Sequence, residues 1–339
     1  MSTSPQPPLH VEMIRMGTAY WLSSLVYTAA KLSLADHLSG GPKSAADLAG
    51  VTGMNVRALH RFMRTLASFG ILTQNEDETF ALTELGATLK KDAPGSARST
   101  VLTMASPTFW QCFGAFDYSL STGKPAMDKV IGMGLFDYLA QHPEEAAQFS
   151  ESMVGIHGGE PPAVAAAYDF SAFGTIVDVG GATGNMLAHI LVKHPQPKGI
   201  LFDRPHVVSE ASALLGARGV ADRVTIVHGN FFESVPEGGD AYILSHIIHD
   251  WTVEQCQTIL GNCRKAMKKG AKLLIVEFVL PPGNTPHFGK LADMIMLTIP
   301  GGEERTADEY RQLLDAAGFR MTRVVPTASD VSIVEAELK

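Results

Sequence analysis

Residues 177–185 read "VDVGGATGN": an apolar run, a carboxylate, a glycine pair, then a third glycine before helical spacing begins. A strand that turns through glycines into a helix lets a ligand approach the backbone closely. The same pattern continues downstream. The apolar runs "GILFD", "VTIVHG", "AYILSH" and "KLLIVEFVL" alternate with helical stretches. Such alternation predicts an α/β domain whose parallel sheet is covered on both faces. The tail, "GFRMTRVVPTASDVSIVEAEL", adds two strands with a short connection and predicts an antiparallel edge.

The strand after the glycine loop ends in "LFDRPH", placing Asp203 19 residues beyond Gly184. An acid at the end of the second strand can hold ribose hydroxyls. Which nucleotide it serves depends on the loop. A nicotinamide dinucleotide wants G-x-G-x-x-G, a register "GGATGN" lacks. Asp178, two residues before Gly180, would repel a pyrophosphate but suits a cationic ligand. This favours a nucleoside joined to an amino acid and a sulfonium.

The chain has 339 residues, 45% hydrophobic and 18% charged, which predicts a soluble protein of two domains. The net charge of −8 argues against a general nucleic-acid surface, which needs a basic excess. The opening "MSTSPQPPLHVEM" has neither the basic nor the apolar segment of a secretory signal. No apolar run is long enough to predict a membrane span. Cys112, Cys256 and Cys263 have no metal-ligand spacing and read as free thiols, so no metal is expected and the cytoplasm is the expected location.

The first hundred residues follow a different pattern. Apolar positions at helical spacing fill 10–40. Ser44 and Asn55 can cap two helices separated by "VTG", and "ILTQNEDETFAL" reads as two short strands around a polar turn. Helix, turn, helix and hairpin make a winged helix. Arg57, His60, Arg61 and Arg64 on the second helix raise the possibility of DNA binding. However, residues 1–100 carry nine Lys/Arg against eight Asp/Glu, and the wing "NEDET" is acidic. Packing against another subunit is the better reading. Residues 101–160 are predicted to be aromatic-rich helices bridging the halves, followed by a catalytic domain over 161–339.

"VDVGGATG", "FDRPHV", "HGNFFESVP", "IIHDWT", "LLIVEFVLP" and "PGGEERT" occur in this order behind the winged helix. The chain thereby resembles, over nearly its whole length, the S-adenosylmethionine-dependent O-methyltransferases of the caffeate, flavonoid and hydroxyindole type. The resemblance implies a Rossmann-like class I methyltransferase domain, a winged-helix homodimer that does not bind DNA, and S-adenosylmethionine as cofactor. It places Gly180, Gly181 and Gly184 at the methionine part of the cofactor, Asp203 at the ribose, and Asn230 and Phe231 at the adenine; Asp178 and Arg204 are the further cofactor-binding candidates. Ser245 stands where plant members often have lysine. Asn230 replaces a commoner aspartate, yet its amide oxygen can still accept from an adenine amino group. Ala182 replaces a glycine, which is harmless if its φ is negative.

"LSHIIHDWT" (244–252) ends the fourth strand. Thr252 with Gln255 predicts a capping box, so His249 sits between a strand's carboxyl end and a helix start, the edge where open α/β sheets bind ligands. A lone histidine there is as often structural as functional; the resemblance makes it the general base. A phenol of pKa about 10 is roughly one part in a thousand ionised at pH 7, a handicap of about 4 kcal/mol. An imidazole that accepts its proton during methyl transfer contributes about 10²–10⁴-fold. The resemblance adds Glu277 and Glu304. Glu277 interrupts an apolar strand and needs a partner, for which the imidazole N–H is suited. Asp250 has a weaker claim, and Trp251 reads as packing. Trp110, Phe113, Phe116, Met153, His246, Met294 and Met296 are candidates to line a pocket for a small aromatic hydroxyl-bearing acceptor. Ile299 favours a less polar ring. The rival readings are a protein that binds the cofactor without methyl transfer and a DNA-binding regulator.

Overall fold

A computed structural model describes residues 7–205, 207, 208 and 211–339; His206 of "FDRPHV" and the first six residues lie outside them. The chain forms two compact units, Met1–Gln111 with Leu139–Gly158, and Cys112–Tyr138 with Gly159–Lys339. The helical bridge is thus shared: residues 112–138 group with the C-terminal unit, and 139–158 with the N-terminal one.

In the N-terminal unit the helix Ala45–Thr52 starts at a capping box in which Ser44 and Asp47 exchange hydrogen bonds. Gly53, at φ +70°, ends it in the left-handed conformation. Asn55 then caps Val56–Ser68 by accepting from the Ala58 N–H. Leu59, Met63 and Leu66 recur on one face of that helix and are buried with Leu48 and Phe80. Each such side chain removed from water contributes about 1.5–3 kcal/mol. Arg57, Arg61 and Arg64 are left on the exposed face. Strands β1 (Leu72–Gln74) and β2 (Phe80–Leu82) pair antiparallel around the acidic turn. Leu9, Met13, Ile14, Met16, Tyr20 and Trp21, on the first helices, are all exposed.

The C-terminal unit carries the predicted sheet. Strands β3 (Thr175–Val179), β4 (Lys198–Asp203), β5 (Val224–His228), β6 (Ala241–Ser245) and β7 (Lys272–Leu280) are parallel. The order is β5-β4-β3-β6-β7-β10-β9, with β9 (Phe319–Pro326) and β10 (Val331–Leu338) antiparallel. The tail hairpin therefore inserts β10 beside β7 and leaves β9 as the edge. A two-residue strand, β8 (Arg305–Thr306), pairs with the end of β7.

Alternation within each strand builds two cores. Ile176, Ile243 and Leu274 face one layer with the helix Asn185–Lys193; Val177, Tyr242 and Ile275 face the other with Val253–Ala266 and Ala307–Ala316. Cys256 and Cys263 are buried on Val253–Ala266, and all three cysteines are free thiols. The chain passes from β3 outward to β4 and β5, then returns to place β6 on the other side of β3. Such a reversal opens a crevice at the carboxyl ends of the strands.

Candidate active site

At the carboxyl ends of the strands stand the glycine loop after β3, Asp203 at the end of β4, Asn230 and Phe231 just after β5, and Ser245 at the end of β6. Asp178 is fully buried, and among the described residues neither of its carboxylate oxygens has a well-formed hydrogen bond; the Leu187 backbone N–H offsets only part of the cost of burial. Burial, and after it the charge of Asp203, pushes this carboxyl up to about 7. A buried carboxylate left short of donors is costly and calls for a donor that is not part of the chain. The ammonium end of an amino-acid ligand is such a donor, so the residues fit S-adenosylmethionine.

Gly180 sits at φ +74°, and a Cβ there would meet Ile247 Cδ1 at 2.4 Å. At Gly181 a Cβ would meet the Asp178 carboxyl and Leu201 at 2.5 Å; Gly184 is left-handed at φ +79°. The loop needs its glycines to pack and turn as well as to admit a ligand. Ala182 does not meet the condition under which alanine would be harmless there: its φ is +50°. Its N–H donates to Asp203 Oδ2 at 3.0 Å, while the exposed Arg204 gives its N–H to Asp203 Oδ1 at 2.7 Å. These bonds tie the glycine loop to the end of β4 and explain why the strained conformation is kept. Asn230 Oδ1 accepts the Phe232 N–H at 3.1 Å, so part of its acceptor capacity is used within its own turn.

His249 lies on the 3₁₀ turn Ile248–Asp250, between β6 and the helix that Thr252 and Gln255 cap as predicted. It is buried, with Nδ1 2.7 Å from Glu304 Oε1 and Nε2 3.7 Å from Asp250. Burial pulls an imidazole toward neutrality, but the Asp250, Glu304 and Glu277 carboxylates outweigh it and carry His249 up to about 10. Glu304 is positioned by its own N–H, which donates to Asp293 Oδ1 at 2.9 Å. Glycine is obligatory at 302 because a Cβ there would stand 1.8 Å from the His249 carbonyl oxygen, while the Glu303 N–H donates to that oxygen at 2.8 Å. Gly301 is required for another reason: it lies at φ +88°, and a Cβ there would meet Pro125 Cγ at 2.7 Å.

Glu277 corrects a second expectation. Among the described residues no hydrogen bond joins it to the imidazole. Its Oε1 instead accepts the backbone N–H groups of Ile247, Ile248 and His249 at 3.0, 2.7 and 3.2 Å, and Oε2 accepts the Tyr310 hydroxyl at 2.5 Å. The turn's N–H groups have no strand partner, and a carboxylate satisfies all three at once. Trp251 packs as expected, stacked on Phe136 at 5.3 Å and edge-on to Phe232 at 4.8 Å.

Of the acceptor candidates, His246 and Met294 belong to the same unit as His249. His246 adopts a left-handed φ of +53°, bonds Glu160 Oε2 at 2.6 Å, and lies 5.1 Å from the His249 ring. Met294 and Met296 are half-buried on Phe288–Thr298, and Ile299 is fully covered. Phe113 stacks on Phe116 at 6.2 Å. Trp110 and Met153 belong to the N-terminal unit, where Trp110 meets Tyr20 edge-on at 5.6 Å. Sequence reasoning missed Glu160, Asp293 and Tyr310. No local signal marks them: Tyr310 occupies an ordinary apolar position of its helix, and Glu160 lies 86 residues from His246.

Residues 116–320 match the O-methyltransferase domain, and residues 14–92 match the O-methyltransferase dimerisation domain. A phenazine O-methyltransferase from Lysobacter antibioticus is 44% identical over 97% of this chain and 96% of its own. A 3-amino-4-hydroxybenzoate 4-O-methyltransferase from Streptomyces cremeus is 37% identical over 96% and 90%. A crystal structure of an O-methyltransferase from neocarzinostatin biosynthesis, in complex with S-adenosylmethionine and 2-hydroxy-5-methyl naphthoic acid, superposes with a TM-score of 0.84. It is 31% identical and covers 94% of this chain and 96% of its own. The chain belongs to the S-adenosylmethionine-dependent O-methyltransferases and pairs as a homodimer through the family's dimerisation domain.

Proposed function

We propose that the protein transfers the methyl group of S-adenosylmethionine to a hydroxyl of a small aromatic acceptor, with His249 as general base. The observation that carries this reading is the buried His249–Glu304 pair on the same sheet edge as the buried carboxylate of Asp178, whose oxygens lack a well-formed hydrogen bond among the described residues. The names of the relatives, which act on hydroxylated aromatics, support the acceptor class. Asp178 would hold the amino-acid end of the cofactor, with Gly180, Gly181 and Gly184 beside it. Asp203 and Arg204 would hold the ribose, Asn230 and Phe231 the adenine, and Ser245 would face the cofactor from β6. Bound S-adenosylmethionine supplies a methyl carbon activated by a sulfonium.

Glu304 faces Nδ1 and, as a carboxylate, can only accept, so the Nδ1 proton stays in place. Nε2 is then the nitrogen that takes the proton of the acceptor hydroxyl. Asp250, beside Nε2, stabilises the resulting cation. Phe113, His246 and Met294, in the same unit as His249, remain the candidates for acceptor contacts. The test is incubation of purified protein with labelled S-adenosylmethionine, a panel of phenols and the matching anilines. Methyl transfer to oxygen supports the reading; cofactor binding without transfer to any member of the panel counts against it.

A further inference from the structure

Tyr310 is a large side chain with no exposed surface, on the helix Ala307–Ala316, and its hydroxyl is 2.5 Å from Glu277 Oε2. Glu277 is likewise fully buried. One oxygen of its carboxylate gathers three consecutive backbone N–H groups, the third of them that of His249. The other oxygen receives the tyrosine. A buried carboxylate is costly unless its oxygens meet donors, and four donors meet these. The backbone carrying His249 is therefore fastened to the Glu277 carboxyl group, and that group is fastened to the helix behind it. On the other side of the turn, the buried Arg305 donates to the Ile248 carbonyl at 3.3 Å. A hydroxyl lost from this chain of contacts leaves one carboxylate oxygen bare, with no solvent to replace it.

We propose that Tyr310 is a positioning residue for the methyl-transfer reaction, acting through Glu277 to hold the 247–249 turn so that the His249 ring meets Glu304. This rests on the reading of His249 as the base. Glu277 and Tyr310 then work as one unit on the backbone, while Glu304 works on the ring. In the free protein the carboxylate and hydroxyl hold the turn before any ligand arrives, so the gain appears in turnover and not in cofactor affinity.

The test uses the full-length protein and three variants: Tyr310→Phe, Glu277→Gln and the pair together. Turnover is expressed per cofactor-binding site, counted by calorimetric titration with S-adenosylmethionine, so that loss of folded protein does not register. Tyr310→Phe is expected to keep the cofactor dissociation constant and lower turnover by about 10- to 100-fold, the range for a lost hydrogen bond to a buried charge. The double variant is expected to cost no more than the worse single one, because the two groups act as a unit. The Nδ1 proton of His249, observed by NMR of histidine-labelled protein, should shift or broaden in Tyr310→Phe, which a side chain that merely fills the core would not cause. Full turnover per site with an unmoved histidine resonance would overturn the proposal. If Tyr310→Phe does not fold, Glu277→Gln decides: retained turnover overturns the proposal and reduced turnover upholds it. His249→Ala separates this inference from the one beneath it. If that variant keeps full rate, the base assignment itself fails; if it loses rate while Tyr310→Phe does not, only the positioning role fails.

Discussion

The carboxylates around His249 set its chemistry at the scale of single residues. Its folded pKa of about 10 stands above the ordinary 6.5, so proton binding stabilises the fold fully below pH 6.5. That contribution is lost as pH rises toward 10. The same sign governs catalysis, because the base form is the neutral ring. Turnover of a weakly acidic phenol should rise by roughly tenfold per pH unit from pH 7 to 9. Asp250→Asn, which removes a charge 3.7 Å from Nε2, should move that rise to lower pH. A rate already flat at pH 7.5 would contradict the raised pKa. His249→Ala should lower turnover by about 10²–10⁴-fold with cofactor affinity nearly unchanged. It should spare acidic phenols, which arrive ionised; equal losses for acidic and weakly acidic phenols would make His249 a positioning group. Asp178 obeys the same sign, because its folded pKa is raised as well. Its pKa of about 7 stands above the ordinary 3.8, so at neutral pH its ionisation destabilises the fold, by an amount that is complete above pH 7 and absent below 3.8. Asp178→Asn should therefore raise the melting temperature of the cofactor-free protein and shrink the increase that S-adenosylmethionine brings. Unchanged thermal shifts on both counts would remove Asp178 from the cofactor site.

At the scale of elements, the glycine loop and the 246–250 segment each hold a residue in a conformation it does not prefer. Ala182 lies at φ +50° and His246 at +53°, in the left-handed region that costs a non-glycine residue about 1–2 kcal/mol. Hydrogen bonds keep both in place: Ala182 to Asp203, and the His246 N–H to the Val276 carbonyl at 3.1 Å. Ala182→Gly removes the strain, at the cost of a more flexible unfolded chain worth about 0.4–1 kcal/mol. The net effect should be a stabilisation of roughly 1 kcal/mol, read as a melting temperature about 2–4 °C higher. A lower melting temperature would mean that the alanine methyl makes a packing contribution larger than the strain.

At the scale of the whole molecule, the unpaired apolar surface is concentrated on the first helices. Leu9 is 89% exposed, Trp21 59%, and no residue of Leu9–Thr18 is buried. Such a surface is unfavourable in water and marks an interaction face. Light scattering at micromolar concentration should return twice 36.3 kDa. Replacing Met13, Ile14 and Trp21 by serine should shift the mass toward that of one chain. A dimer that survives these substitutions would place the interface elsewhere.

The order of strands and helices, the capped starts of three segments at Ser44, Asn55 and Thr252, and the sheet edge bearing Asp178, Asp203 and His249 follow from local pattern. Periodicity, capping and glycine placement act over a few residues, and these elements agree with that local grammar. The sequence also suffices for Trp251, whose aromatic neighbours do the packing expected of it. It does not suffice for the partner of Glu277. A carboxylate in an apolar strand advertises that it needs donors, but three backbone N–H groups on a turn and a tyrosine 33 residues away come together only when β6, β7 and the Ala307–Ala316 helix pack. The positive φ of Ala182 was hidden for the same reason: the loop closes on Asp203, 21 residues on, and that long-range bond overrides the local preference of alanine. Local chemistry decided which elements form and which edge binds. Tertiary packing decided which carboxylate touches the ring and which holds the backbone, because a buried charge takes whatever donors the completed fold brings to it.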